Sequence, residues 1–107
     1  KKKKYNVFCY IDKIKNKIAL TKKQNLGFLD KFYLPPIKES YSDKKIKNWN
    51  FHLNFKNSIS NKKLNINVYY KFSLKIPAQH KWFSLKINSE FIPSFTKKIL
   101  KQMSQII

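Results

Sequence analysis

The sequence predicts an α+β domain in which a mixed β-sheet is sandwiched between a C-terminal helix and a short middle helix. From Leu64 to Ile76 every second residue is apolar, which is the period of a strand with one buried face. Phe95, Ile99 and Met103 then keep the spacing of an amphipathic helix. The 107 residues, of which 42% are hydrophobic and 16% aromatic, suit one domain with one modest core.

The first third of the chain predicts a hairpin followed by a loop. Residues 5–11 are apolar and aromatic and indicate a buried strand, and residues 17–21 form its expected partner after a turn at 12–16. Gly27 is the only glycine, so its position indicates a backbone angle that other residues resist. Residues 28–34 end at a Pro-Pro pair, which cannot lie in a central strand, and they predict a short edge strand or loop.

The remaining elements are a weakly amphipathic middle helix, three strands and the C-terminal helix. Residues 42–48 predict the middle helix, with a serine at its N-terminus as the cap. Residues 51–55 alternate regularly, so their three apolar side chains are expected on one face. A polar bend at residues 57–63 separates this strand from the long one, and residues 82–85 predict a short strand. Ser94 is the expected N-cap of the final helix.

The charge of the chain indicates a polyanionic partner. Lysine accounts for all 24 basic residues, and the formal net charge is +19. Nucleic acid is the polyanion that such a charge most often meets. The abundance of Lys, Asn and Ile is also what an AT-rich genome imposes, so selection and compositional drift both stay open as its origin. Lysine contacts phosphates as a point charge and lacks the planar fork with which arginine reads guanine.

The single cysteine and the short apolar runs indicate a cytoplasmic protein. Cys9 alone cannot form an intrachain disulfide framework, which fits a reducing compartment. No apolar run approaches the roughly 18 residues of a membrane span. We therefore expect a cytoplasmic, nucleoid-associated monomer without a membrane partner. Because the first residue is Lys1, we expect a single domain over residues 1–107 that forms the C-terminal part of a longer protein.

Segments at both ends of the chain resemble one family. The opening segments resemble the start of a Nudix-like domain: residues 18–23 (IALTKK), 27–29 (GFL) and 32–36 (FYLPP). The closing segments are similar to that family's last strand and helix: residues 81–85 (KWFSL), 92–94 (IPS) and 97–100 (KKIL). Together they resemble the C-terminal, 8-oxoguanine-recognition domain of MutY-type adenine DNA glycosylases, over about residues 5–103.

The resemblance places the recognition residues in the polar bend. It implies lesion-recognition roles for Asn57, Ser58, Ile59, Ser60 and Asn61, and contacts to the DNA backbone for Lys56, Lys62 and Lys63. Ser60 would contact 8-oxoguanine, because a hydroxyl donates and accepts and so can meet both N7–H and O8. Asn57 and Asn61 replace two histidines of the family, and Ile59 replaces a phenylalanine. The alternatives are a turn serine that binds its own backbone and lysines that are merely solvated.

The resemblance also defines what this chain lacks. The family's adenine excision belongs to a separate helical domain that holds an iron–sulfur cluster, so we expect no catalysis, no metal and no cofactor in this chain. Its expected partners are double-stranded DNA and that catalytic domain, in base excision repair. The carboxylates, at residues 12, 30, 39, 43 and 90, are too scattered for a Nudix hydrolase. The alternative function is a basic Nudix-like module that binds RNA or a ribosome without lesion preference.

Overall fold

The residues that the structure describes form a mixed six-stranded sheet and one helix. The structure, a computed structural model, describes residues 3–22, 24, 26–27, 29–42, 44, 46–59 and 61–107. The elements in these ranges are β1 (Lys3–Asp12), β2 (Lys17–Leu20), β3 (Ile37–Glu39), β4 (Asn50–Ile59), β5 (Lys62–Phe72), β6 (Lys81–Ser84) and α1 (Ser94–Ser104). This confirms the predicted α+β class and mixed sheet.

The strands β1 and β5 form the centre of the sheet. The strand order is β4-β5-β1-β2-β6, and β3 pairs with the N-terminal half of β1. β1 and β5 are parallel, from the pair Lys3 and Leu64 to the pair Ile11 and Phe72, while the other pairings are antiparallel. β1 and β2 form the predicted N-terminal hairpin. β4 and β6 are therefore the outer strands.

The core lies between the sheet and α1. Leu64, Ile66 and Val68 are buried, and they belong to one cluster with Val7, Cys9 and Ile11 of β1 and with Phe95, Ile99 and Met103 of α1. The helical stripe predicted from the sequence is thus the face that α1 buries. The N-cap of α1 is Pro93, which makes no side-chain cap hydrogen bond, so the expectation that Ser94 caps the helix is wrong.

Hydrogen bonds hold the long loop between β2 and β3 against the sheet and the helix. Thr21 and Leu34 exchange two backbone hydrogen bonds of 2.8 and 3.0 Å. Thr96 Oγ1 of α1 donates to the carbonyl oxygen of Tyr33 at 2.8 Å. Gly27 has φ of 79°, which agrees with the left-handed backbone expected for the only glycine. This segment is a loop with one isolated bridge, which is one of the two predicted alternatives.

The expected short middle helix is wrong. In the segment 42–48, the residues that the structure describes are in no helix, and Asn48 has φ of 68°. Ser42 accepts a hydrogen bond from the Lys44 amide at its hydroxyl (3.1 Å) and one from the Ser40 hydroxyl at its carbonyl (2.9 Å). Such local bonds compete with helix formation. The sheet is consequently covered by a helix on one side only within the described part of the chain.

Strand β4 contains a bulge that interrupts the expected alternation. Phe51 pairs with Tyr69 and Leu53 pairs with Val68, so His52 is the additional residue. Phe51 therefore lies on the opposite side of the sheet from Leu53 and Phe55, not on the same side as predicted. The long strand also ends earlier than its alternation suggests. β5 stops at Phe72, and the side chain of Leu74 is 76% exposed.

Candidate nucleic-acid interface

The predicted polar bend is a tight β-hairpin. β4 ends at Ile59 and β5 begins at Lys62, and these two residues form the last pair of the ladder. Asn61, in the two-residue connection, has φ of 67°, a left-handed angle that asparagine tolerates better than most residues. Ser60, the expected contact to the lesion, lies outside the described residues. The end of β4 and the start of β5 lie side by side in this hairpin, so most of the predicted site residues lie close together.

Strand alternation divides these predicted site residues between the two sides of the sheet. Ser58 pairs with Lys63, and Lys56 pairs with Asn65, and paired residues point to the same side. Asn57 pairs with the buried Leu64 and therefore points to the side that α1 covers. A hollow of about 260 Å³ opens along the hairpin and is lined by Lys56, Asn57, Ser58, Lys63, Leu64 and Asn65. The hydroxyl of Ser58, the amide of Asn65 and the ammonium groups of Lys56 and Lys63 thus lie on the same side of the sheet beside this hollow.

Two of the predicted recognition residues contact the rest of the fold. Ile59 is half-buried and packs against the hydrophobic core. Asn57 Oδ1 accepts a hydrogen bond of 3.2 Å from Lys98 Nζ, which connects the hairpin with α1. These contacts support the hairpin from the helix side. Ser58 and Asn61, in contrast, are exposed.

The helix adds basic residues that the sequence interpretation did not assign to the interface. Lys98 and Lys101 lie off the buried stripe of α1 and, with Lys56 of β4, line a groove of about 410 Å³ between the helix and the outer strand. The floor of the groove includes Leu53 and Phe55. The three-residue spacing of Lys98 and Lys101 on the polar face of α1 was a weak signal in the sequence. Only the packing of α1 beside β4 places these two lysines near the hairpin.

The side of the sheet opposite α1 carries a second group of polar and aromatic residues. We call it the open face; it consists of Lys4, Asn6, Phe8 and Tyr10 of β1, Lys63, Asn65, Asn67, Tyr69 and Lys71 of β5, and Phe51, Asn54, Lys56 and Ser58 of β4. Trp49 packs edge-on against Phe8 and Tyr10, with ring centroids 5.0 and 4.9 Å apart. The ammonium of Lys71 lies 4.5 Å from the centre of the Trp49 ring.

Asparagine side chains cross the open face from strand to strand. Asn54 Nδ2 donates to Asn65 Oδ1 at 2.6 Å and to Asn67 Oδ1 at 2.8 Å. Asn67 Nδ2 donates in turn to Asn6 Oδ1 at 3.2 Å. Cross-strand hydrogen bonds of this kind hold the side chains in defined orientations. The row presents amide groups beside the aromatic rings.

The described residues contain no metal-binding cluster and no activated cysteine. They contain no group of three or more His, Cys, Asp or Glu side chains that can hold a metal ion. Cys9 is fully buried, and burial raises the pKa of its thiol, so it is not a thiolate nucleophile. An iron–sulfur cluster, which needs four cysteine thiolates, does not fit a chain with one cysteine. No helix in the described ranges is long and apolar enough to cross a membrane.

The class of protein that the fold and site define is a small α+β domain with a basic hairpin and a lysine-rich open sheet face. Comparison with known proteins does not narrow this class. No protein-family model and no curated protein matches the chain. The kinship with adenine DNA glycosylases therefore stays a prediction that depends on the segments described above.

Proposed function

We propose that this chain is a DNA-lesion recognition module, the Nudix-like C-terminal domain of an adenine DNA glycosylase. In this proposal it binds duplex DNA and probes 8-oxoguanine opposite adenine through the hairpin between β4 and β5. The observation that carries the proposal is the hairpin itself. The hairpin contains the segment that resembles the family's recognition loop, and lysines lie next to that segment on both strands.

The hairpin has the shape and chemistry for contacting a duplex. A hairpin with a two-residue connection is narrow, and the exposed residues of this hairpin include Ser58, Asn61, Lys62 and Lys63. Hydroxyl and amide groups form hydrogen bonds to base edges, whereas ammonium groups contact phosphates and position the protein without reading the sequence. The contact between Lys98 and Asn57 supports the hairpin against α1. Base readout and backbone contact thus come from neighbouring positions of one hairpin.

The resemblance assigns the chemistry of excision to another part of the proposed parent enzyme. That helical domain would supply the catalytic carboxylate and carry the iron–sulfur cluster. This chain would contribute affinity for the duplex and preference for the damaged base. Base excision repair would then depend on contact between the two domains, and the product of the parent's hydrolysis would be DNA without the mispaired adenine.

A duplex titration with the 107-residue chain tests the proposal. Two fluorescein-labelled duplexes that differ only in carrying 8-oxoguanine·adenine or guanine·adenine are compared by fluorescence anisotropy, with and without Ser60→Ala. One lost hydrogen bond is worth about 1 kcal/mol, so we expect Ser60→Ala to reduce the preference for the damaged duplex roughly fivefold. Affinity for the undamaged duplex should stay the same.

Ser84→Ala is the matched control, because it removes an exposed hydroxyl from β6, at the other edge of the sheet, where the proposal places no recognition residue. It should leave the preference for 8-oxoguanine unchanged. If Ser60→Ala weakens both duplexes equally, or neither, Ser60 does not read the lesion. A chain that binds both duplexes equally before any substitution contradicts the lesion-recognition proposal as a whole.

The second candidate is a basic nucleic-acid-binding module without lesion preference, directed to RNA or a ribosome. The spread of lysines beyond the hairpin, over α1 and the open face, favours it. It predicts equal affinity for damaged and undamaged duplexes and comparable affinity for RNA. It also predicts a steep loss of affinity with salt, because each phosphate contact releases counterions.

A further inference from the structure

The open face displays one exposed aromatic ring on a rigid support. Phe51 is 49% exposed, and its ring lies edge-on to Tyr69 with centroids 5.5 Å apart. Tyr69 is only 4% exposed and is stacked on Phe8 at 5.9 Å and 19°. The bulge in β4 turns Phe51 away from the core, where regular alternation would have placed it. The result is an exposed apolar ring, the platform, beside a packed pair of aromatic side chains on the same side of the sheet.

A hollow lies beside this platform. It measures about 260 Å³ and is lined by Lys4, Ser42, Lys44, Phe51, Asn65, Asn67 and Tyr69. Asn65 also lines the hollow along the hairpin, so the two hollows lie next to each other on the open face. Asn65 accepts a hydrogen bond from Asn54 at its side-chain oxygen. Among the contacts of the described residues its Nδ2 group has no partner, so this group can donate to a ligand.

The charge around these two hollows, which together are called the track, is positive. Lysines lie along it at positions 4, 44, 56 and 63, and Lys38 joins them because it pairs with Asn6. The carboxylates in the described ranges lie elsewhere. Asp12 accepts backbone hydrogen bonds from its own turn, Glu39 pairs with Tyr5 on the covered side, and Asp30 and Glu90 are in loops. The occupant that this charge favours is an anion.

We propose that the open face binds single-stranded nucleic acid, with one base stacked on Phe51. The asparagine row would contact the edge of that base, and the lysines would follow the phosphates. Stacking on an exposed ring requires an unpaired base, because duplex bases already stack on one another. This site goes beyond the duplex contact proposed for the hairpin, and it uses different residues at its centre.

Binding of short single strands tests the site. Fluorescein-labelled oligothymidylate and oligouridylate of about ten nucleotides, a length within the range of single-strand sites, are titrated by anisotropy at low salt. We expect Phe51→Leu to weaken binding about tenfold, because leucine keeps the apolar contact with Tyr69 but cannot stack on a base. Both strands should bind, and a preference for one of them reports whether the 2′-hydroxyl contributes.

Phe72→Leu is the matched control. Phe72 is 44% exposed, pairs with Ile11 and therefore lies on the other side of the sheet. It should bind the oligonucleotides like the unsubstituted chain. Lys63→Gln removes one charge from the track. The slope of log affinity against log salt concentration should therefore fall by the amount of about one phosphate contact. A thermal melt of each variant establishes that the fold is retained.

Several outcomes would overturn this proposal. One is equal affinity for the Phe51→Leu and Phe72→Leu variants, and another is the absence of oligonucleotide binding at low salt. Displacement of oligothymidylate by an equal charge of oligoglutamate would show that the face binds any polyanion. Ser60→Ala should leave oligothymidylate binding unchanged, so failure of the hairpin proposal and failure of this one are distinguishable.

Discussion

The backbone angle of Asn61 predicts how the hairpin responds to substitution. Asn61 has φ of 67°, and a left-handed conformation costs an ordinary residue about 1–2 kcal/mol. Asparagine reduces this cost through its short polar side chain, glycine avoids it, and a β-branched residue increases it. We therefore expect Asn61→Val to destabilise the domain by about 1–2 kcal/mol, whereas Asn61→Gly should change its stability little.

The assay is thermal unfolding followed by circular dichroism. For a domain of this size, 1 kcal/mol shifts Tm by roughly 4–8 °C, so the valine variant should melt roughly 5–10 °C below the unsubstituted chain. The glycine variant should melt within about 2 °C of it, because the strain is removed without loss of a buried contact. Equal melting temperatures for the two variants would refute the left-handed turn and, with it, the pairing of Ile59 with Lys62.

Two further predictions concern the core. Ile66→Ala should reduce the free energy of unfolding by about 2–5 kcal/mol in a urea titration, because Ile66 is fully buried in a central strand, while Ile66→Val should cost about 0.5–1.5 kcal/mol. Burial raises the pKa of Cys9, so the native thiol stays protonated where the unfolded one ionises, and stability should fall as pH rises above about 8.5. Cys9→Ala should flatten that fall between about pH 9 and 10; an unchanged slope would contradict the burial of the thiol.

The position of the polar bend followed from the sequence, but its form did not. The polar residues between two alternating stretches correctly marked the place where β4 meets β5. A polar run of seven residues is equally compatible with a wide loop and with a paired hairpin, because backbone hydrogen bonds leave little trace in composition. The close approach of Lys98 to Asn57 joins positions 41 residues apart, and no local pattern reports such a contact.

The amino-acid sequence by itself determined the elements whose side chains repeat with a clear period. The alternation at Leu64, Ile66 and Val68 marked a half-buried strand, and the stripe from Phe95 to Met103 marked the helix that covers it. These signals are strong because burial acts on every second residue of a strand and on every third or fourth residue of a helix.

Only the tertiary structure decided on which side of the sheet Phe51 lies and that β1 pairs with β5. The parallel pairing of β1 with β5 joins segments about 60 residues apart and depends on the whole core, not on local propensity. One additional residue in β4 was enough to move Phe51 to the open face, since a shift of one residue reverses the side to which a strand directs its side chains. The described residues of the middle segment are in no helix, because Ser42 forms local hydrogen bonds and Trp49 packs on the sheet instead.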